Sequence, residues 1–72
     1  EKRYLTISFG MNLRKLREKK NLSQEALSKK LTISRHSISK WEQDISYPSI
    51  LYLIPITKIL ECTLDELLKD LN

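Results

Sequence analysis

Residues 24–43 read QEALSKKLTISRHSISKWEQ, and the fold turns on this stretch. Leu27 and Leu31 stand four apart, one above the other on a helix, with Ala26 beside Leu27. Ser23, just ahead, is a good N-cap, and Gln24 and Glu25 fill a first turn, where free amides favour acids and acceptors. Thr32-Ile33-Ser34 then interrupts the pattern. Ser34 caps a second helix that runs to about Gln43. Two short helices therefore meet at a three-residue turn.

At about 100° per residue the second helix divides into two faces. With Ile38 at zero, Trp41 and Ser34 fall within about 60° on one side and Glu42 about 40° on the other. Trp41 at this spacing belongs to the core. The opposite arc holds Arg35, Ser39, Gln43, His36 and Lys40. Each is polar and none is acidic, whereas a solvated helix face usually mixes both charge signs. Such an arc suits a partner rich in acceptors. The major groove of DNA admits an α-helix and presents acceptors and donors on its base edges. Arg35 and Lys40 suit guanine N7 and O6. His36 donates or accepts according to its tautomer, and Ser39 is short enough to bond a base or touch a thymine methyl.

On the N-terminal side, Leu13 and Leu16 share one face of a helix over about 12–20, and Asn21 is a plausible left-handed stop. Residues 1–10 differ. Tyr4, Thr6 and Ser8 alternate with Leu5, Ile7 and Phe9, which describes either one short strand or residues preceding a natural start at Met11. The expected division is an N-terminal extension over 1–10 and a domain over 11–70. On the C-terminal side, 44–48 is a loop. A fourth helix spans about 49–60, with Ile50, Leu53, Ile56 or Thr57, and Leu60 inward. Pro55 deletes one of its hydrogen bonds and should kink it. Thr63-Leu64-Asp65-Glu66 is a capping box, and a fifth helix covers about 64–70. Short helices with short connections make a compact all-α domain.

Composition excludes several classes. The chain has 72 residues, with 13 Lys or Arg against 9 Asp or Glu, a net charge of +4. A chain this short buries only about 60% of its unfolded surface, so an enzyme with its own large cleft does not fit. No nucleophile–base pair or carboxylate pair stands at useful spacing. One Gly excludes both a dinucleotide loop and a phosphate-cradling loop. One His and one Cys cannot supply a structural zinc site. Neither cofactor nor small-molecule ligand is evident, and no segment is long enough to span a membrane. Cys62 occupies a slot for a small hydrophobe, and a lone free thiol fits a reducing cytoplasm. Residues 1–40 carry 11 basic and 3 acidic side chains, a balance of +8, while 41–72 carry 2 basic and 6 acidic, a balance of −4. The asymmetry suggests a polyanionic partner; the bland reading is a solvated basic face.

Over residues 12–68 the chain resembles the helix-turn-helix domain of the phage repressor and Cro superfamily, also called the xenobiotic-response-element family. The residues that carry the resemblance are Leu16-Arg17, Leu22 to Leu27, Leu31, Ile33-Ser34, Ser37-Ile38, Lys40-Trp41-Glu42, Tyr47 to Ile50, Leu53 and Leu64 to Leu68. The combination is specific, although no single tripeptide is. The resemblance implies a five-helix lambda-repressor-like fold. It implies a DNA-binding set of Gln24, Ser34, Arg35, His36, Ser37, Ser39, Lys40, Gln43, Ser46 and Tyr47. Within this set Gln24 anchors backbone, Arg35, His36, Ser39 and Lys40 read bases, and Ser46 and Tyr47 match frequent phosphate contacts. It implies a structural pair, Arg17 and Glu42.

Three departures stand out. Thr32 stands where the family's tight turn usually carries Gly, so a positive φ there costs about 1 kcal/mol or more. Asp44 replaces a second Gly. Leu51, Tyr52 and Pro55 replace polar residues of the fourth helix and are either core of an irregular helix or a dimer interface. The expected function is a sequence-specific double-stranded DNA-binding regulator, a repressor, that binds a palindromic operator as a homodimer. The alternatives are an antitoxin of the same fold, which binds DNA and a toxin chain, and a protein-interaction module that has lost DNA binding.

Overall fold

The computed structural model describes residues 8–69. Five helices follow in order: α1 (Phe9–Lys19), α2 (Gln24–Leu31), α3 (Arg35–Glu42), α4 (Ile50–Leu60) and α5 (Leu64–Leu68). Each contributes one aliphatic side chain to the centre. Leu13, Leu27, Ile38, Ile56 and Leu67 are all fully buried, and each such burial is worth about 1.5–3 kcal/mol. Phe9, Leu31, Trp41 and Leu60 complete the core. α2 packs on α3, and α1 lies across both α3 and α5, while α4 closes the far side against α2 and α5.

The helix starts follow the expected chemistry. Ser23 Oγ accepts from the Ala26 amide at 3.0 Å, and Ser34 Oγ from the Ser37 amide at 3.3 Å. Thr63 and Glu66 form a reciprocal capping box, with bonds of 3.1 and 2.8 Å.

The helix ends share one device. After α1, α2, α3 and α4 the chain enters the left-handed region at Asn21, Thr32, Asp44 and Glu61, with φ between 53° and 59°. The next amide, from Leu22, Ile33, Ile45 or Cys62, then reaches back to the carbonyl five residues earlier at 2.9–3.1 Å. This is the Schellman closure, which usually employs glycine. Leu22, Ile33 and Cys62 each tuck against the core immediately after the closure.

The chain's one glycine serves elsewhere. A Cβ on Gly10 would lie 2.3 Å from the Glu42 carbonyl oxygen and 2.8 Å from an Asp44 carboxylate oxygen. The start of α1 thus abuts the end of α3 with no room for a side chain. The Gly10 amide donates to Asp44 Oδ1 at 2.9 Å. Ser8, the formal cap, makes no side-chain bond. Asp44 therefore supplies the anionic acceptor that the α1 N-terminus favours, from across the fold.

Three expectations need correction, and a fourth lies mostly outside the described residues. Phe9 and Gly10, assigned to the N-terminal extension, form the first turn of α1, and Phe9 is 5% exposed. No strand occurs among the described residues, and most of the strand expected over 4–9 lies outside them. Ile50, expected inward, is 60% exposed because the α4 face toward the core passes through Ile56 and Leu60. Finally, α5 ends at Leu68 rather than 70. There Asn12 Nδ2 donates to the carbonyls of Leu67 and Lys69 at 2.8 and 3.0 Å.

Candidate nucleic-acid interface

α2 and α3 are set at a fixed angle by the Thr32 closure, the half-buried Ile33 and the Ser34 cap. α3 turns Ile38 and Trp41 into the core. Arg35, His36 and Gln43 are exposed and Ser39 and Lys40 half-exposed, so the arc that was read as outward does face outward.

Below this arc lies a polar network. Arg17 grips Glu42 through two bonds, Nε to Oε2 at 2.6 Å and Nη2 to Oε1 at 3.1 Å. Their side chains are only 10% and 5% exposed. Arg17 Nη1 also donates to the Leu22 carbonyl at 2.7 Å, which ties the α1–α2 connection into the same network. The Glu42 carboxylate pushes the Arg17 pKa further up, chiefly by hydrogen bonding and against the opposing effect of burial. A pair this secluded is not dispensable, because removing one partner strands the other charge at a cost of about 3–5 kcal/mol.

The network reaches the surface through Gln24. Its Nε2 donates to Glu42 Oε1 at 3.0 Å, and its Oε1 accepts from Arg35 Nη1 at 3.4 Å. The chain Arg17–Glu42–Gln24–Arg35 thus runs from a buried ion pair to the first residue of the outward arc. Gln43 Nε2 bonds back to the Ser39 carbonyl and hydroxyl at 3.2 and 2.9 Å. Ser34 and Ser37 share a hydroxyl contact of 3.3 Å at the start of α3.

These residues surround an open, mainly polar hollow of about 300 Å³ lined by Arg14, Arg17, Gln24, Ser39, Glu42 and Gln43. The structure thereby joins four of the expected DNA-binding residues, Gln24, Arg35, Ser39 and Gln43, through bonds and a common cavity. Arg35, His36 and Lys40 share α3 with Ser39 but do not line the hollow. Ser46 and Tyr47 lie in the loop after α3, beyond the hollow. The Tyr47 ring meets Phe9 edge-on at a centroid distance of 6.0 Å. Lost hydration, then the nearby Asp44 carboxylate, push its phenol pKa up, so the hydroxyl keeps its proton at neutral pH.

The place of Arg14 in the hollow and the contact of Asp44 with Gly10 escaped the sequence reading. Arg14 carried a usable signal, since it precedes Arg17 by three residues on one helix face. The role of Asp44 depends on a contact with Gly10 across the fold, and no local pattern announces it.

Leu51 is 78% exposed, Ile54 52% and Tyr52 36%. The Tyr52 ring leans on Trp41 at 5.8 Å, so it is part core edge and part surface, and Pro55 is half-buried within α4. Beside them Ile50, Leu53, Ile54, Cys62 and Leu64 line a second, apolar hollow between α4 and α5. The Cys62 thiol in its wall has its pKa raised by burial and then by Glu66, which keeps it in the unreactive protonated form. Among the described residues no helix is long and apolar enough to cross a membrane.

A Ser-capped helix pair with an outward polar arc, braced by a buried Arg–Glu pair within five helices, defines a repressor-type helix-turn-helix domain. A family profile described as helix-turn-helix matches residues 13–67, and the chain belongs to that family, in its phage repressor and Cro branch. It is 45% identical over 62 residues to the HTH-type transcriptional activator BcrR of Enterococcus faecalis, covering 86% of this chain and 30% of that one. It is 37% identical over 60 residues to repressor protein C2 of Salmonella phage P22, covering 83% of this chain and 28% of that one. The crystal structure of the P22 c2 repressor with a synthetic operator superposes with a TM-score of 0.79 at 36% identity, over 85% of this chain and 92% of that one. The chain thus spans less than a third of the length of these two curated relatives.

Proposed function

We propose that this chain is the DNA-reading domain of a transcriptional regulator. α3 enters the major groove, with Arg35, His36, Ser39 and Lys40 toward base edges. Gln24, Ser34, Ser37, Gln43, Ser46 and Tyr47 hold the flanking backbone. The observation that carries this reading is the Arg17–Glu42–Gln24–Arg35 chain of bonds, which holds one end of a wholly non-acidic arc on a buried ion pair. Preorganised donors aimed outward suit base recognition, because ordering them on binding would otherwise cost affinity. The P22 c2 repressor, similar in sequence and structure, is bound to operator DNA in its crystal.

The regulator acts as a homodimer on a palindromic operator in the cytoplasm, and its effect is repression. The P22 relative is a repressor, although the Enterococcus relative is an activator. The exposed apolar surface of α4 supports a protein partner and suits a second copy of the domain. A non-identical chain on that surface is the antitoxin reading.

Arg35→Ala and Lys40→Ala each test the base-reading roles. Each variant is expected to lose about 1–3 kcal/mol on its preferred site and to relax preference at one operator position, measured by competition among duplexes varied one base pair at a time. Uniform weakening across all duplexes would assign these side chains to phosphate instead.

A further inference from the structure

Among the described residues, the hollow between α1, α2 and α3 contains one cation that neither the base-reading arc nor the core employs. Arg17 is committed to Glu42 and to the Leu22 carbonyl. The Glu42 carboxylate is in turn occupied by Arg17 and Gln24. Arg14 is different. Its side chain is 65% exposed and lines the hollow together with Ser39 of α3 and Gln43 at the C-cap of that helix. Among the described residues its one side-chain partner is Glu18, one turn along α1, through Nε to Oε2 at 3.2 Å. With α3 in a major groove, a phosphate strand borders the groove along the flank of that helix, and the hollow is lined by Ser39 of α3 and by Gln43 at its end. Apart from the neutralised Glu42, every side chain around it carries a hydrogen-bond donor.

We propose that Arg14 is a phosphate clamp of the DNA-bound state, and that Glu18 holds its guanidinium as an internal stand-in for phosphate until DNA displaces it. The inference rests on the DNA-reading function proposed above. Carboxylate and phosphate both offer anionic oxygens that a guanidinium can grip, so binding exchanges one anionic partner for another. The Glu18 pair is exposed and spans one helical turn, which makes it weak and readily displaced. Phosphate entry returns Glu18 to solvent, where a free carboxylate is well hydrated. Lys29 and Glu25 form a comparable exposed pair on α2, at 3.8 Å, but neither lines the hollow. They provide the internal control.

The test is affinity for a short duplex of mixed sequence, followed by fluorescence anisotropy across a range of salt. The proteins are the wild type, Arg14→Ala, Glu18→Gln, the double variant and Lys29→Ala. Arg14→Ala should reduce the steepness of log affinity against log salt by about 0.9 and weaken binding about eightfold at 0.1 M salt. Glu18→Gln should tighten binding about twofold when Arg14 is present and leave it unchanged in the Arg14→Ala background. Thermal midpoints should not move, since both side chains are exposed. An unchanged salt slope in Arg14→Ala would overturn the clamp, as would an equal loss in Lys29→Ala, which signals diffuse attraction. Equal tightening by Glu18→Gln in both backgrounds would overturn the stand-in role. A wild-type chain that binds no duplex at any salt would instead overturn the DNA-reading function itself.

Discussion

Glu42 accepts from Arg17 Nε, Arg17 Nη2 and Gln24 Nε2, so one carboxylate ties three helices together. Its inward position was legible from the helical layout of α3. Its bond to Gln24 was not, because that contact joins residues 18 apart in sequence. Glycine is equally instructive. Local rules place it at helix ends, yet the chain uses Asn21, Thr32, Asp44 and Glu61 there and keeps Gly10 for the contact between α1 and α3. Asn21 and Asp44 were readable as residues that tolerate the left-handed region, and Thr32 as a strained one. Glu61 was not readable, although the apolar residue that follows each closure is a recurring sign. Thr32 bears the largest strain, since a β-branched side chain at φ 59° is crowded against its own backbone. Thr32→Gly relieves about 1–2 kcal/mol of that strain and returns about 0.5–1 kcal/mol through the freer unfolded chain. A net gain of about 0.5–1 kcal/mol should raise the thermal midpoint by roughly 4 °C. A lower midpoint would mean that the Thr32 side chain stabilises the turn in some other way.

The helices that carry a polar-apolar alternation were placed well. α2 and α3 each have a cap, a two-turn apolar stripe and a defined stop, and all three signals agree. α1 began earlier than its Leu13–Leu16 spacing implied, because Phe9 enters the core only through tertiary packing with the loop after α3. α4 shows why periodicity fails in places. Its sequence ILYLIPITKIL is apolar at nearly every position, so no single face stands out. Contact with α2 and α5 selects Ile56 and Leu60 and leaves Ile50, Leu51 and Ile54 outside. That leftover surface is the proposed homodimer interface. Leu51→Lys is expected to raise the dimer Kd by about tenfold or more, since a buried ammonium has no partner there. Sedimentation equilibrium should then report a mass falling toward the 8.5 kDa of one chain. The monomer's thermal midpoint should hold, because Leu51 is 78% exposed. An unchanged dimer mass would place the interface on another surface.

For the molecule as a whole, the net charge of +4 combines two unlike halves. The basic half contains α1, α2 and most of α3, and thus the arc, the polar hollow and Arg14. The acidic half contains α4 and α5, together with Asp44 and Glu61 at the closures. Attraction to a polyanion therefore concentrates on one side, and the sum of charges understates it. The fold class and the outward-facing arc of α3 were legible because helix caps and stripes are local. The order of the polar network was not, since it depends on how three helices approach one another. The central claim is that α3 reads base sequence in two symmetry-related copies. Selection of bound molecules from a random duplex pool tests it most directly. Enrichment of a palindrome is expected, with half-sites centred about 10–10.5 base pairs apart, one helical turn. A recovered pool with no preferred sequence would contradict it.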